Sequence, residues 1–136
     1  MNEIRVGRVS TINYAAGTVK VAYPDRSDKD TAELPVFCGL GKEYQMPKVG
    51  EPVLVLHLSN DSSMGIVLGG FWTEKATPKE SGENVYYKAF QNNGDAFLQV
   101  LDGKMMLGAS ELSLRDNAGT ISVSELLAMK RKLEAL

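Results

Sequence analysis

The chain has 136 residues, 43% of them hydrophobic, which is enough to bury a core but leaves room for only one full-sized domain, or a small one plus an appendage. Its 15 Lys and Arg are outnumbered by 17 Asp and Glu, giving a net charge of −2, so it lacks the cationic footprint from which nucleic-acid-binding domains draw most of their affinity. Cys38 is alone, which excludes an intrachain disulfide framework, and the thiol is expected to pack as a small apolar group rather than act as a nucleophile.

The start of the chain, Met1-Asn2-Glu3-Ile4-Arg5, has no apolar signal-peptide core, and no apolar run is long enough to span a bilayer. Synthesis and assembly in the cytoplasm are therefore expected. Ile4 to Ile12 reads as a first strand, Asn13 to Gly17 as a turn, and Thr18 to Tyr23 as a second strand in which Val19, Val21 and Tyr23 alternate; together they form a hairpin. Pro24 to Thr31, rich in Asp, Ser and Lys, is expected to be a solvated loop, with Asp28 and Asp30 as solvated charges rather than an acid-base pair. A third strand is predicted around Glu33 to Phe37, followed by a longer connection from Gly39 to Lys48. Within that stretch, Gly39-Leu40-Gly41-Lys42 lacks the spacing of a phosphate-binding loop.

Pro47 to Phe71 carries the most telling pattern. The turn Gly50-Glu51-Pro52 feeds Val53 to Leu56, an apolar run that suits a strand covered on both sides, and after a polar loop Gly65 and Gly69-Gly70 bracket Ile66, Val67 and Leu68. Glycines at strand ends permit tight turns and close backbone approach, which places these strands at the corners of a small closed barrel. About five strands and no helical periodicity suit a five-stranded OB-type barrel over residues 1–72; the order and lengths equally allow an SH3-like one.

Thr73 to Asn84 combines charge, Pro and Gly and reads as a linker, 73–84. Beyond it come five short predicted strands: Val85 to Phe90, Ala96 to Leu101, Lys104 to Gly108, Leu112 to Arg115 and Thr120 to Val123. Strands this brief would be marginal alone, so the apolar face of region 85–122 is expected to meet another chain. Ser122-Val123-Ser124-Glu125 has the form of a capping box, which predicts a helix over 123–136. Its Leu126, Met129, Leu133 and Leu136 step by helical spacing, with Lys130, Arg131 and Lys132 on the remaining face. Three such helices could pack together, each could dock on a neighbouring protein, or the stripe could fold back on its own barrel.

The order of these elements resembles the phage baseplate assembly protein V family, the central spike of contractile tails, and spikes of type VI secretion and contractile injection systems are similar. The resembling residues are Ile4-Arg5-Val6-Gly7-Arg8-Val9, Gly17-Thr18-Val19-Lys20-Val21, Leu34-Pro35-Val36, Val49 to Leu56 and Gly65 to Gly70. The resemblance implies an N-terminal OB-fold, then a β-helix or prism-like region in which three chains intertwine, forming a homotrimeric spike. The implied partners are the tail tube or hub, other baseplate proteins and the target cell envelope. On that reading the trimer core holds Leu98, Val100, Leu107, Leu112, Leu114, Ile121, Leu126, Met129, Leu133 and Leu136.

Many spikes of this family end in a His-X-His pair that binds iron. This chain has only His57, far from its C-terminus, so no tip metal and no cofactor are expected, and either a separate tip protein or a blunt end closes the spike. No catalytic constellation or metal-ligand cluster is evident, and the chain has no room for a fused wall-degrading domain. Two alternatives remain: a secretion-system spike carrying effectors, and an OB-fold single-stranded nucleic-acid module using Tyr14, Tyr23, Phe37, Tyr44 and Phe71 as stacking platforms, although these lack surrounding basic density.

Overall fold

A valine alternating with a polar neighbour puts one row of side chains on each face of a strand, and that arithmetic organises the first half of the chain. In a computed structural model, residues 3–27, 29–58 and 63–136 are described; Asp28 and residues 59–62 of the polar loop lie outside them. The chain divides into two compact units, Met1–Thr77 and Pro78–Leu136.

In the first unit, β1 (Glu3–Asn13) is the long central strand. Its first half pairs antiparallel with β5 (Pro52–His57), and its second half with β2 (Thr18–Tyr23). Ser10 is the extra residue where the register with β2 shifts, a bulge that increases local twist and lets one strand serve two neighbours. Gly7 lies where β1 crosses β2. A Cβ there would collide with the Val21 side chain, lie 2.7 Å from the Tyr23 ring and reach within 2.8 Å of the Ala22 carbonyl, so only glycine fits.

The sheet runs β3 (Lys29–Asp30), β2, β1, β5, β6 (Gly65–Gly69), with β4 (Leu34–Pro35) also on β2. Its inward rows supply a core of Val9, Val19, Val21, Tyr23, Leu34, Val53, Val55 and Val67, with Ile12, Val36 and Met46 packed around it. The alternation expected for Val19, Val21 and Tyr23 holds, since each is buried.

Three expectations are corrected. The barrel is not closed, and its sheet has six strands rather than five. Between β4 and β6 the ladder shrinks to one parallel bridge, Val36 to Val67, with the Phe37 amide donating to the Val67 carbonyl at 2.8 Å. Pro35 has no N–H with which to extend β4, and the chain then leaves the sheet. Second, β5 is fully covered on one face only: Val53, Val55 and His57 are buried while Leu54 and Leu56 are partly exposed. Third, the loop Pro24 to Thr31 is not wholly irregular. It holds a 3₁₀ turn at Pro24–Arg26 and the two-residue β3, and Thr31 is buried, its hydroxyl accepting from the Val21 amide at 3.1 Å.

One polar cluster enters this core. Nδ1 of His57 lies 3.0 Å from the Met64 carbonyl, which can only accept, so Nδ1 carries the proton and Nε2 accepts from the Tyr23 hydroxyl at 2.6 Å. The Arg5 guanidinium stands 4.5 Å over the Tyr23 ring and holds Asp25 at 2.7 Å and Glu3 at 3.0 Å. Burial pushes the Tyr23 phenol above its ordinary pKa, and the positive charge of Arg5 offsets part of that rise. Burial works against the charge on Arg5, but hydrogen bonds to Glu3 and Asp25 outweigh it and hold its pKa above the usual value.

The second unit holds three antiparallel strands, β7 (Val85–Ala89), β8 (Phe97–Leu101) and β9 (Lys104–Gly108), then a hairpin of β10 (Ser113–Arg115) and β11 (Thr120–Ser122), then α1 (Val123–Glu134). All five predicted strands and the helix are present. The β8–β9 turn is tight because Asp102 and Gly103 both adopt positive φ, +48° and +82°, the pairing that matches the twist of a two-residue hairpin.

Candidate functional site

The register of the three-stranded sheet sorts its residues into two unequal faces. On one face Tyr87 stacks on Phe97 with ring centroids 5.5 Å apart, and the Phe97 ring lies over Gly108, where any Cβ would strike it. That aromatic pair covers part of its face, which also carries Leu101 and Met106, 44% and 58% exposed. On the other, Leu98 lies between Lys88 and Leu107, and Val100 lies between Tyr86 and Met105. Five apolar side chains and one cation therefore share a surface, with Tyr86 53%, Leu107 53% and Met105 73% exposed. A single sheet layer needs a cover for such a surface.

The hairpin continues the theme. Leu114 lies directly opposite Ile121, and the Val123 amide donates to the Leu112 carbonyl at 2.8 Å, so the pairing extends one residue beyond each strand. Alternation then places Leu112, Leu114 and Ile121 on one face. The capping box is formed as expected: the Ser122 hydroxyl accepts from the Glu125 amide at 3.1 Å, and the Glu125 carboxylate accepts from the Ser122 amide at 3.4 Å. Ser122 is both the last residue of β11 and the helix cap, so the hairpin sets the direction of α1 with no linker between them. Leu126, Met129, Leu133 and Leu136 are all exposed, and Leu136 lies past the last helical residue.

The structure thus brings Leu98, Val100 and Leu107 together on one sheet face, Leu112, Leu114 and Ile121 on the hairpin, and Leu126, Met129 and Leu133 along one side of α1. Tyr86 and Met105 belong with the first group and were missed. Alternation along Tyr86-Tyr87-Lys88 and Lys104-Met105-Met106 carried the signal, but assigning each residue to a face required the β7–β8–β9 register.

On the first unit, Tyr14, Phe37, Tyr44 and Phe71 are exposed, while Tyr23, taken with them as a stacking platform, is buried at 3% because its ring completes the core. Phe37 and Tyr44 line a groove beside the seam together with Pro35, Val36, Lys42, Glu43 and Met46; its lining carries one cation and one acid, which gives phosphates no net attraction. Cys38 is exposed, not packed, because it follows the point where the chain leaves the sheet. His57 is buried with both ring nitrogens bonded to protein, and among the described residues no group of three or more His, Cys, Asp or Glu could hold a metal. No helix among the described residues is long and apolar enough to cross a membrane.

Residues 5–72 match the family described as the type VI secretion system/phage-baseplate injector OB domain. No curated protein matches the chain.

Proposed function

The chain belongs to the type VI secretion system/phage-baseplate injector OB-domain family, and from that membership we propose that it is the homotrimeric spike or hub of a contractile baseplate. The family is one of injector baseplates, and its membership supports a structural baseplate role. On the fuller reading, residues 1–72 form the hub-side OB domain, 73–84 a connector, 85–122 the shared spike region and 123–136 its terminal helix. The OB domain meets the tail tube and neighbouring baseplate proteins, assembly takes place in the cytoplasm, and sheath contraction drives the trimer into the target envelope.

The observation that carries this reading is the uncovered apolar face of Tyr86, Leu98, Val100, Met105 and Leu107 on a sheet one layer thick. A stiff body that transmits force without unfolding needs its strands satisfied and its apolar surface shared, and threefold association provides both. A secretion-system spike carrying effectors uses the same geometry. Deleting the gene from cells that make the particle tests the role directly. Loss of assembled contractile tails, restored by the wild-type chain, is expected; normal particles without the chain would overturn the proposal.

A further inference from the structure

The helix stripe has several conceivable covers, and its flanking charges select one. With Leu126 and Leu133 at the first apolar position of a heptad and Met129 and Leu136 at the second, Glu125 and Lys132 flank the stripe on one side and Lys130 on the other. In parallel, in-register helices the residue at the first flank faces the residue five positions later on its neighbour, which sets Glu125 against Lys130. Antiparallel alignment of the same apolar layers sets Lys130 against Lys130 and Lys132 against Lys132, which is repulsive.

We propose that α1 of each chain packs parallel and in register against α1 of a second copy, with Glu125 of one facing Lys130 of the next. This rests on the trimeric reading above, and it names both the occupant of the stripe and the pair that fixes its direction. Two features of the chain support it. Ser122 ends β11 and caps α1, so copies joined through their hairpins start their helices level, and this tether raises the effective concentration of helices that span only about two heptads and would be marginal alone. Both hydrogen bonds that the Glu125 side chain accepts from Ser122 end on Oε1, which leaves Oε2 outside the capping box and able to accept from a neighbouring ammonium. Among the described residues Lys130 reaches Glu134 of its own chain, at 3.9 Å and on the surface, a contact weak enough to be exchanged.

The test uses the full chain. Lys130→Glu places like charges across each helix interface and should weaken trimer association on the order of tenfold in sedimentation equilibrium. Adding Glu125→Gln removes the repulsion while keeping the capping box, because glutamine serves there too, and should recover most of that loss. Residues 125 and 130 are five apart on one helix and do not face each other, so rescue reports contact between copies. In a Cys38→Ser background, Leu136→Cys should give covalent dimers under mild oxidation, since parallel helices end together. A trimer that shows neither rescue nor cross-linking overturns the helix pairing and leaves the trimeric reading standing. A chain that stays monomeric at every concentration overturns both.

Discussion

Leu98→Asp is the sharpest probe of the sheet face. Leu98 is on the middle strand, paired with Lys88 on one side and Leu107 on the other, so it marks the centre of the apolar surface. Within a single chain it is only half-buried, and replacing it costs the folded monomer little beyond its contacts with its sheet neighbours. In a trimer the same side chain becomes fully covered in each copy. Covering a leucine contributes about 1.5–3 kcal/mol, so losing half of that in each chain removes roughly 2–5 kcal/mol from the assembly. A carboxylate then left without a partner in the same place costs several kcal/mol more for each copy. The trimer should therefore dissociate at micromolar concentrations where the wild type holds together, as read by sedimentation equilibrium with circular dichroism confirming that the monomer stays folded. Lys104→Glu, on the opposite face of the same sheet, is the control and should leave association unchanged. If Leu98→Asp keeps the wild-type association constant, that face is not the interface and the reasoning from its exposure fails.

Three further outcomes follow from the first unit. Gly7→Ala should destabilise the OB unit by about 2–4 kcal/mol in urea denaturation, because the new methyl must displace Val21 or the backbone beside it. Tyr23→Phe leaves Nε2 of His57 buried without its donor and should cost about 1–3 kcal/mol, lowering the melting temperature of this unit by roughly 5 °C or more. The Tyr23 pKa is raised on folding, so its neutral form is favoured in the native state. That contribution is complete below the unfolded value of 10.0 and is lost as pH rises through the folded value, so wild-type stability should fall in strong alkali more steeply than that of Tyr23→Phe.

Much of the architecture could be read from local pattern. The alternation of Val19, Val21 and Tyr23 placed β2 with its inward face correct, and Ser122 with Glu125 located the start of α1, because each signal depends on residues within a few positions of one another. What escaped was long-range. Nothing near Tyr23 in sequence announces that its hydroxyl meets His57, 34 residues away, or that Gly7 is required where β1 crosses β2. The open seam beside Pro35 had a local cause, the missing N–H, but its consequence depends on where Val67 of β6 arrives. The residues of the apolar sheet face split in the same way. Leu98, Val100 and Leu107 stood out as apolar residues in short strands, whereas Tyr86 and Met105 joined them only once the register fixed which face each side chain occupies.

The central claim is that the second unit completes itself with other copies of this chain, and sedimentation equilibrium of the whole protein across a wide concentration range measures that directly. The account predicts a single species at three times the 14.8 kDa chain mass, dissociating only on dilution or in denaturant. A stable, folded monomer of 14.8 kDa at high concentration would contradict it.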